Sequence, residues 1–259
     1  WPARRMLWRV GKDTRLLAEA GLMLMRREGN VDTAIARVPQ NLVSDEGLIY
    51  ERLRWRRRKG RYESAAALLN SIPKDVKYPD KWWLERAVLA REALEKGHIT
   101  DAYRIARDHG MQKGALFADA EWLAGWIALR FLNNHANAKR HFTTLFATVE
   151  YPVSRARGAY WVGRTEEESG DDAQARYWYG VAAAFPTTFY GQLAANALNP
   201  GKGIKIPDQP AVSDGVAEAF KENELVRAVQ ILSEVDEVDR LRPFIMSLNK
   251  INPSPGWSA

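Results

Sequence analysis

In this 259-residue chain the side chains with chemical potential fall into three groups. The first is a basic run, Arg52, Arg54, Arg56, Arg57, Arg58, Lys59 and Arg61, interleaved with Tyr50, Trp55 and Tyr62. Cations beside aromatic faces can hold nucleic-acid phosphates or the carboxylates of an anionic cell-wall or protein partner. The same run also suits a solvated helix end, where positive charge complements the dipole. The second group is aromatic: Tyr160, Trp161, Tyr177, Trp178, Tyr179, Phe185, Phe189 and Tyr190, with the pairs Trp82/Trp83 and Trp122/Trp126. Such rings either fill a core or offer faces for sugar stacking. Adjacent rings point to different sides of a helix, so one member of Trp82/Trp83 and one of Trp178/Tyr179 is expected at the surface. The third group is the four histidines, His98, His109, His135 and His141, none of them paired at the helical spacing of a zinc motif. With no cysteine there are no disulfides and no thiolate ligands. The Gly201-Lys202-Gly203 stretch lacks the spacing and the Lys-Ser/Thr ending of a phosphate loop. No metal site and no cofactor are expected.

The elements that carry these residues read as helical hairpins. Ala, Leu, Glu and Arg dominate, and β-branched runs are scarce. Gly29, Gly60, Gly97 and Gly170 mark turns. The step from Gly60 to Gly97 is 37 residues and that from Gly97 to Gly170 is 73, with Asn133-Asn134 at the midpoint. Asn also tolerates a left-handed helix cap, so it fills the gap in the series. Five residues after each marker stands an alanine: Ala34, Ala65, Ala102, Ala138 and Ala175. A small residue there lets the second helix of a hairpin approach the first. Trp83, Ala87, Ala90 and Leu94 share one helix face, which places Glu85, Arg86, Glu92 and Lys96 elsewhere on that helix. Five hairpins are expected, at about 14–38, 45–72, 80–109, 116–148 and 153–184, followed by a helix at about 187–198. The expected fold is all-α: a right-handed α-superhelix (α-solenoid) of stacked, tetratricopeptide-like hairpins.

Domain organisation follows from composition. Residues 1–198 form the expected repeat domain, 199–210 (NPGKGIKIPDQP) a Gly/Pro linker, and 211–259 a following subdomain with helices near 211–221, 223–234 and 237–249. Charge changes sign along the chain: residues 1–60 hold 14 Lys/Arg against 7 Asp/Glu, whereas 211–240 hold 3 against 8. That asymmetry favours an anionic partner at one end. The longest apolar stretch, Trp122 to Leu132, is too short to span a bilayer and contains Arg130. The chain opens on Trp1 without a signal peptide and closes near Asn-Pro-Ser-Pro-Gly-Trp, so both ends are expected to be cuts in a longer protein.

The run at 151–195 resembles the superhelical domain of soluble lytic murein transglycosylases. The matching pieces are Ser154-Arg155-Ala156-Arg157 with Tyr160-Trp161; Gly170 with Ala173, Ala175 and Trp178-Tyr179; and Pro186-Thr187-Thr188-Phe189-Tyr190-Gly191. Upstream, Ala120-Glu121-Trp122-Leu123-Ala124-Gly125-Trp126 extends the match. The strong part covers roughly a third of the chain. The resemblance implies a periplasmic, peptidoglycan-acting protein whose helical arch supports a separate C-terminal lysozyme-like domain. In that family a glutamate followed by serine, with Gly-Leu-Met-Gln downstream, cleaves the glycan without water and leaves a 1,6-anhydro-muramic end. Here Glu-Ser occurs at Glu63-Ser64 and Glu168-Ser169, and neither is followed by Gly-Leu-Met-Gln. Glu63 suits the acidic first turn of a helix, and Glu168 belongs to an acidic Glu166-Glu167-Glu168 run before a turn. No catalytic residue is therefore expected, and the chain alone is expected to be inactive.

The implied role is a scaffold that positions murein strands for its own catalytic domain, with other cell-wall proteins as further partners. Arg52, Arg56, Arg57, Trp83, Trp178 and Tyr190 are the residues expected to meet substrate. A second reading is a non-enzymatic helical-repeat scaffold that binds another protein. Nucleic-acid binding through 52–61 is a third.

Overall fold

The computed structural model describes residues 2–73, 75–202 and 213–251. Among them are fifteen α-helices and no strand. The helices are α1 (Pro2–Met6), α2 (Lys12–Arg26), α3 (Val31–Ala36), α4 (Glu46–Arg58), α5 (Tyr62–Leu68), α6 (Pro79–Glu95), α7 (Ile99–Arg107), α8 (Ala115–Arg130), α9 (His135–Thr148), α10 (Pro152–Ser169), α11 (Asp172–Ala183), α12 (Phe189–Leu198), α13 (Asp214–Glu222), α14 (Glu224–Glu234) and α15 (Leu241–Ile251). The five expected hairpins are α2/α3, α4/α5, α6/α7, α8/α9 and α10/α11. The short α1 has no counterpart in the sequence reading. The chain divides into two compact units, Trp1–Ile204 and Lys205–Ala259. Of the expected linker at 199–210, residues 203–210 lie outside the described residues, as do 211–212 and 252–259.

One turn recurs through the first unit. After α4, α6, α8 and α10 a residue adopts the left-handed conformation: Gly60 (φ 72°), Gly97 (φ 76°), Asn133 (φ 47°) and Gly170 (φ 86°). Glycine has no Cβ to clash there, and asparagine tolerates the region best among the rest. At three of these turns the next N–H returns to the carbonyl five residues back: Arg61 to Arg56 at 2.9 Å, His98 to Ala93 at 2.8 Å and Asp171 to Glu166 at 2.9 Å. Those bonds satisfy carbonyls that the helix end would leave open. The first hairpin departs from the expectation. Its left-handed residues are Arg27 and Asn30, not Gly29, because α2 already stops at Arg26 and Glu28 bonds back to Met23. Ala65, Ala102, Ala138 and Ala175 are buried as the spacing predicts, whereas Ala34 in the irregular first hairpin is half-buried.

Packing in this unit is serial. From α4 to α12 each helix packs on the next one. The first helices of successive hairpins also pack side by side, as α2 on α4, α4 on α6, α6 on α8, α8 on α10 and α10 on α12. The apolar core follows the chain accordingly. One cluster joins Ala20, Leu24, Val31, Val38 and Leu48; a central one runs from Ile49 to Val162; a third joins Ala159, Ala175, Tyr179, Ala182 and Ala194. Helix α8 is the most enclosed, with Phe117, Ala120, Leu123, Ala124, Ile127, Ala128 and Leu129 all buried, as its nearly unbroken apolar sequence requires.

Helix α6 corrects two expectations. Trp82 and Trp83 are both buried, each 1% exposed. They point to opposite neighbours. Trp82 packs edge-on against Tyr50 of α4 and donates to Glu46 at 2.9 Å, whereas Trp83 donates to Asp119 of α8 at 3.0 Å. A helix flanked on two sides has two inward faces, so adjacent aromatics need not compete for one. By the same logic Glu85 and Arg86 are buried, while Leu84 and Val88 lie in the solvent-facing stripe with Lys81, Arg91 and Glu95.

In the second unit α13 packs on α14 and α14 on α15, with Val226 and Leu248 buried. Ile231, Val235, Val238, Ile245 and Met246 remain exposed.

Candidate functional site

The basic run sits on α4 and the turn after it, and the fold turns much of it inward. Glu85, buried on α6, accepts both nitrogens of an Arg57 fork, one of them at 3.2 Å, and Arg54 Nε approaches it at 3.5 Å. A buried carboxylate needs such partners, and the planar guanidinium supplies two parallel donors. The hydrogen bond it donates to Glu85 holds the Arg57 guanidinium above its usual pKa, against the effect of burial. Arg56 donates to the Ser64 carbonyl of α5 at 2.8 Å, and Arg61 lies over the Trp55 ring at 5.3 Å. Among the described residues Arg52 and Arg58 have no ion pair, and burial lowers the pKa of each, with Arg56 adding for Arg52 and Arg54 and Arg27 adding for Arg58. Of the expected contact residues, then, Arg57 is committed to Glu85 and Arg56 to a backbone carbonyl.

The aromatic residues divide similarly. Trp83 has no exposed face to offer a sugar. Trp178 is half-buried edge-on against Phe146, and Tyr190 is half-buried beside Tyr160. Tyr179 is buried; its hydroxyl donates to Glu167 at 2.8 Å, and burial together with that carboxylate drives its pKa upward. The rings that do reach solvent here are Tyr177, 61% exposed, and Phe189, 67% exposed. Each flanks an expected contact residue by one position, which is the rotation a helix makes between its packed and open faces.

The two Glu-Ser pairs lie where their helix positions predict. Glu63 is exposed in the first turn of α5, with Lys96 at 4.0 Å. Glu168 is held by Arg130 at 2.7 Å and Arg164 at 3.5 Å.

A buried polar cluster escaped the sequence reading. Glu121 on α8 accepts from His109 Nε2 at 3.2 Å and from His141 Nδ1 at 2.6 Å. The proton on each ring is fixed by the partner on its other nitrogen. His109 Nδ1 accepts the Met111 N–H at 3.0 Å. His141 Nε2 faces the Tyr103 hydroxyl at 3.1 Å and Arg140, which can only donate, at 3.3 Å. Burial pushes the Glu121 carboxyl up, but the hydrogen bonds from the two histidines outweigh it and hold it at about 2. The three residues stand on three separate segments, and the one sequence signal was an acid inside the apolar run of α8. Because these groups saturate one another, they form a structural tie. Among the described residues no group of three or more His, Asp or Glu is arranged to hold a metal ion.

The class defined by fold and surface is an all-α protein of serially packed hairpins. Among the described residues no helix is long and apolar enough to cross a membrane. No family model, no curated protein and no solved structure matches the chain.

Proposed function

We propose that this chain is the superhelical, tetratricopeptide-like scaffold region of a soluble lytic murein transglycosylase, acting in the periplasm to position murein strands for a catalytic domain outside this chain. The observation that carries the reading is what the family-like residues of 151–195 do. Arg155 lies between the Phe146 and Phe185 rings, at 4.8 and 5.8 Å, and Arg157 reaches the Ala118 carbonyl at 3.0 Å. Tyr160 touches both Tyr179 and Tyr190. Gly191 sits against the Phe185 carbonyl where no Cβ fits, and Thr188 caps α12 by accepting its N–H at 3.0 Å. The residues shared with the family are thus those that fasten α10, α11 and α12 to each other and to α8. A resemblance made of fastening residues is one of architecture, and that is what supports the reading.

Sacculus sedimentation tests the reading. The chain is expected to pellet with purified peptidoglycan and to release no anhydro-muropeptides. Y177A/F189A is expected to weaken pelleting several-fold, since those rings are open to a sugar face and remote from the tie at Glu121. An in-frame Glu-Ser followed by Gly-Leu-Met-Gln in the coding DNA beyond Ala259 is the genetic counterpart. Failure to pellet, with a folded protein partner recovered instead, sinks this reading in favour of a protein-binding scaffold. Salt-sensitive binding to nucleic acid through 52–61 also sinks it.

A further inference from the structure

Arg86 is a charged side chain, 7% exposed, with no carboxylate partner among the described residues. Its one hydrogen bond runs from Nη1 to the Ile105 carbonyl in the last turn of α7, at 3.1 Å. A guanidinium has five donors, and no second protein acceptor for this one is present among the described residues. Burial lowers its pKa, which Asp108 opposes and Arg104 reinforces. Buried charges are ordinarily paired because the loss of water is costly. The usual partner is missing here, and Arg86 instead lines a cavity of about 510 Å³ between α6, the end of α7 and the stretch after α5.

The rest of the lining defines what fits. Arg107 is the second cation; its Nε lies 3.2 Å from Asp108 and its guanidinium over the Tyr103 ring at 5.5 Å. Asp108 also lines the cavity, so among the described residues its charged lining is two guanidiniums and one carboxylate. His109 adds no free nitrogen, because its Nδ1 accepts from Met111 and its Nε2 bonds Glu121. Leu69, Ile72, Pro73 and Val76 make the remaining wall apolar. A volume of this size suits a small ligand. Asp108 beside the two guanidiniums disfavours a phosphate dianion more than a single carboxylate. A planar guanidinium matches a carboxylate's two oxygens.

We propose that this cavity binds a single carboxylate carried on a short branched aliphatic body, with Arg86 as the buried anchor and Arg107 as the outer one. The site is independent of any murein role. Chemical-shift titration of the isotopically labelled full chain tests it, with 3-methylbutanoate as the probe. Saturable shifts are expected at Ile105–Met111 in the low millimolar range. The isosteric 3-methylbutanamide is expected to give none, and inorganic phosphate is expected to bind at least tenfold more weakly. R107Q, on an exposed side chain, is expected to weaken the probe three- to tenfold, and R86M to abolish binding while backbone shifts elsewhere stay native. If R86M does not fold, R107Q and the amide control still decide. Absent shifts at 50 mM probe, equal binding of the amide, tighter binding of phosphate, or shifts confined to another region would each overturn the proposal.

Discussion

At the scale of single residues the most consequential group is Glu121. It holds His109 and His141, and so ties α8 to α9 and to the loop before α8. Its folded-state pKa of about 2 lies below the ordinary 4.5. The folded state therefore binds the proton more weakly than the unfolded chain does. The stabilising contribution is complete above about pH 4.5 and is lost as pH falls towards about 2. E121Q removes the charge while keeping the shape. Its melting temperature is expected to lie well below that of the parent at pH 6, with the gap closing as both are measured down to pH 2.5. A pH-independent gap would show that the carboxylate's charge plays no part. Glu85 illustrates the same physics with arginine: it is buried, and it organises Arg54 and Arg57 around itself. Glu85, with the Ser64 carbonyl that holds Arg56, explains why the basic run gives a smaller free cationic surface than its composition promises.

At the scale of elements, helix spacing depends on small residues at crossings. A Cβ on Gly158 of α10 would come within 2.9 Å of the Phe146 backbone nitrogen on α9. Backbone cannot step aside as a side-chain tip can, so the two helices would have to separate. G158A is expected to destabilise the first unit by about 1–3 kcal/mol, as overpacked cores do, in chemical denaturation. A neutral result would mean that the α9/α10 contact is loose. The turns are a second lever. Asn133 holds φ 47° where its three counterparts are glycine. N133A is expected to cost about 1 kcal/mol, the penalty of the left-handed region for an L-residue, and N133G to be neutral or stabilising. These turns were legible in the sequence because left-handed caps need particular residues. Hairpin bounds and the alanine crossings were legible for the same kind of reason. The faces of α6 were not. An apolar stripe identifies one buried side, but Glu85 and Arg86 are buried on another side by partners far away in sequence, and Leu84 is left outside. The candidate contact residues meet the same limit: Trp83, Trp178 and Arg57 were chosen by type, and the neighbouring hairpin sets their direction, burying Trp83, half-burying Trp178 and binding Arg57 to Glu85.

At the scale of the whole first unit, serial packing has a mechanical consequence. Among the described residues the core is three clusters along the chain, one at α2–α4, a large central one from α4 to α10 and one at α10–α12, and the helices pack mainly on chain neighbours. In such an arrangement stability is approximately a sum of hairpin terms and nearest-neighbour interface terms. Damage should therefore stay local. Phe142 is the natural probe, since it is fully buried on α9, stacks on Trp161 of α10 at 5.7 Å and packs against Gly125 of α8. F142A is expected to cost about 3–5 kcal/mol at that interface through the cavity it leaves. Native-state hydrogen exchange should show lost protection concentrated in α8–α11 and nearly parental protection in α2–α4. A globule with one indivisible core would instead lose protection by the same amount throughout, because its slowest amides all exchange through global unfolding. The hairpin-resolved result is the one that a stacked scaffold requires, and a uniform loss would argue against reading this unit as a superhelix.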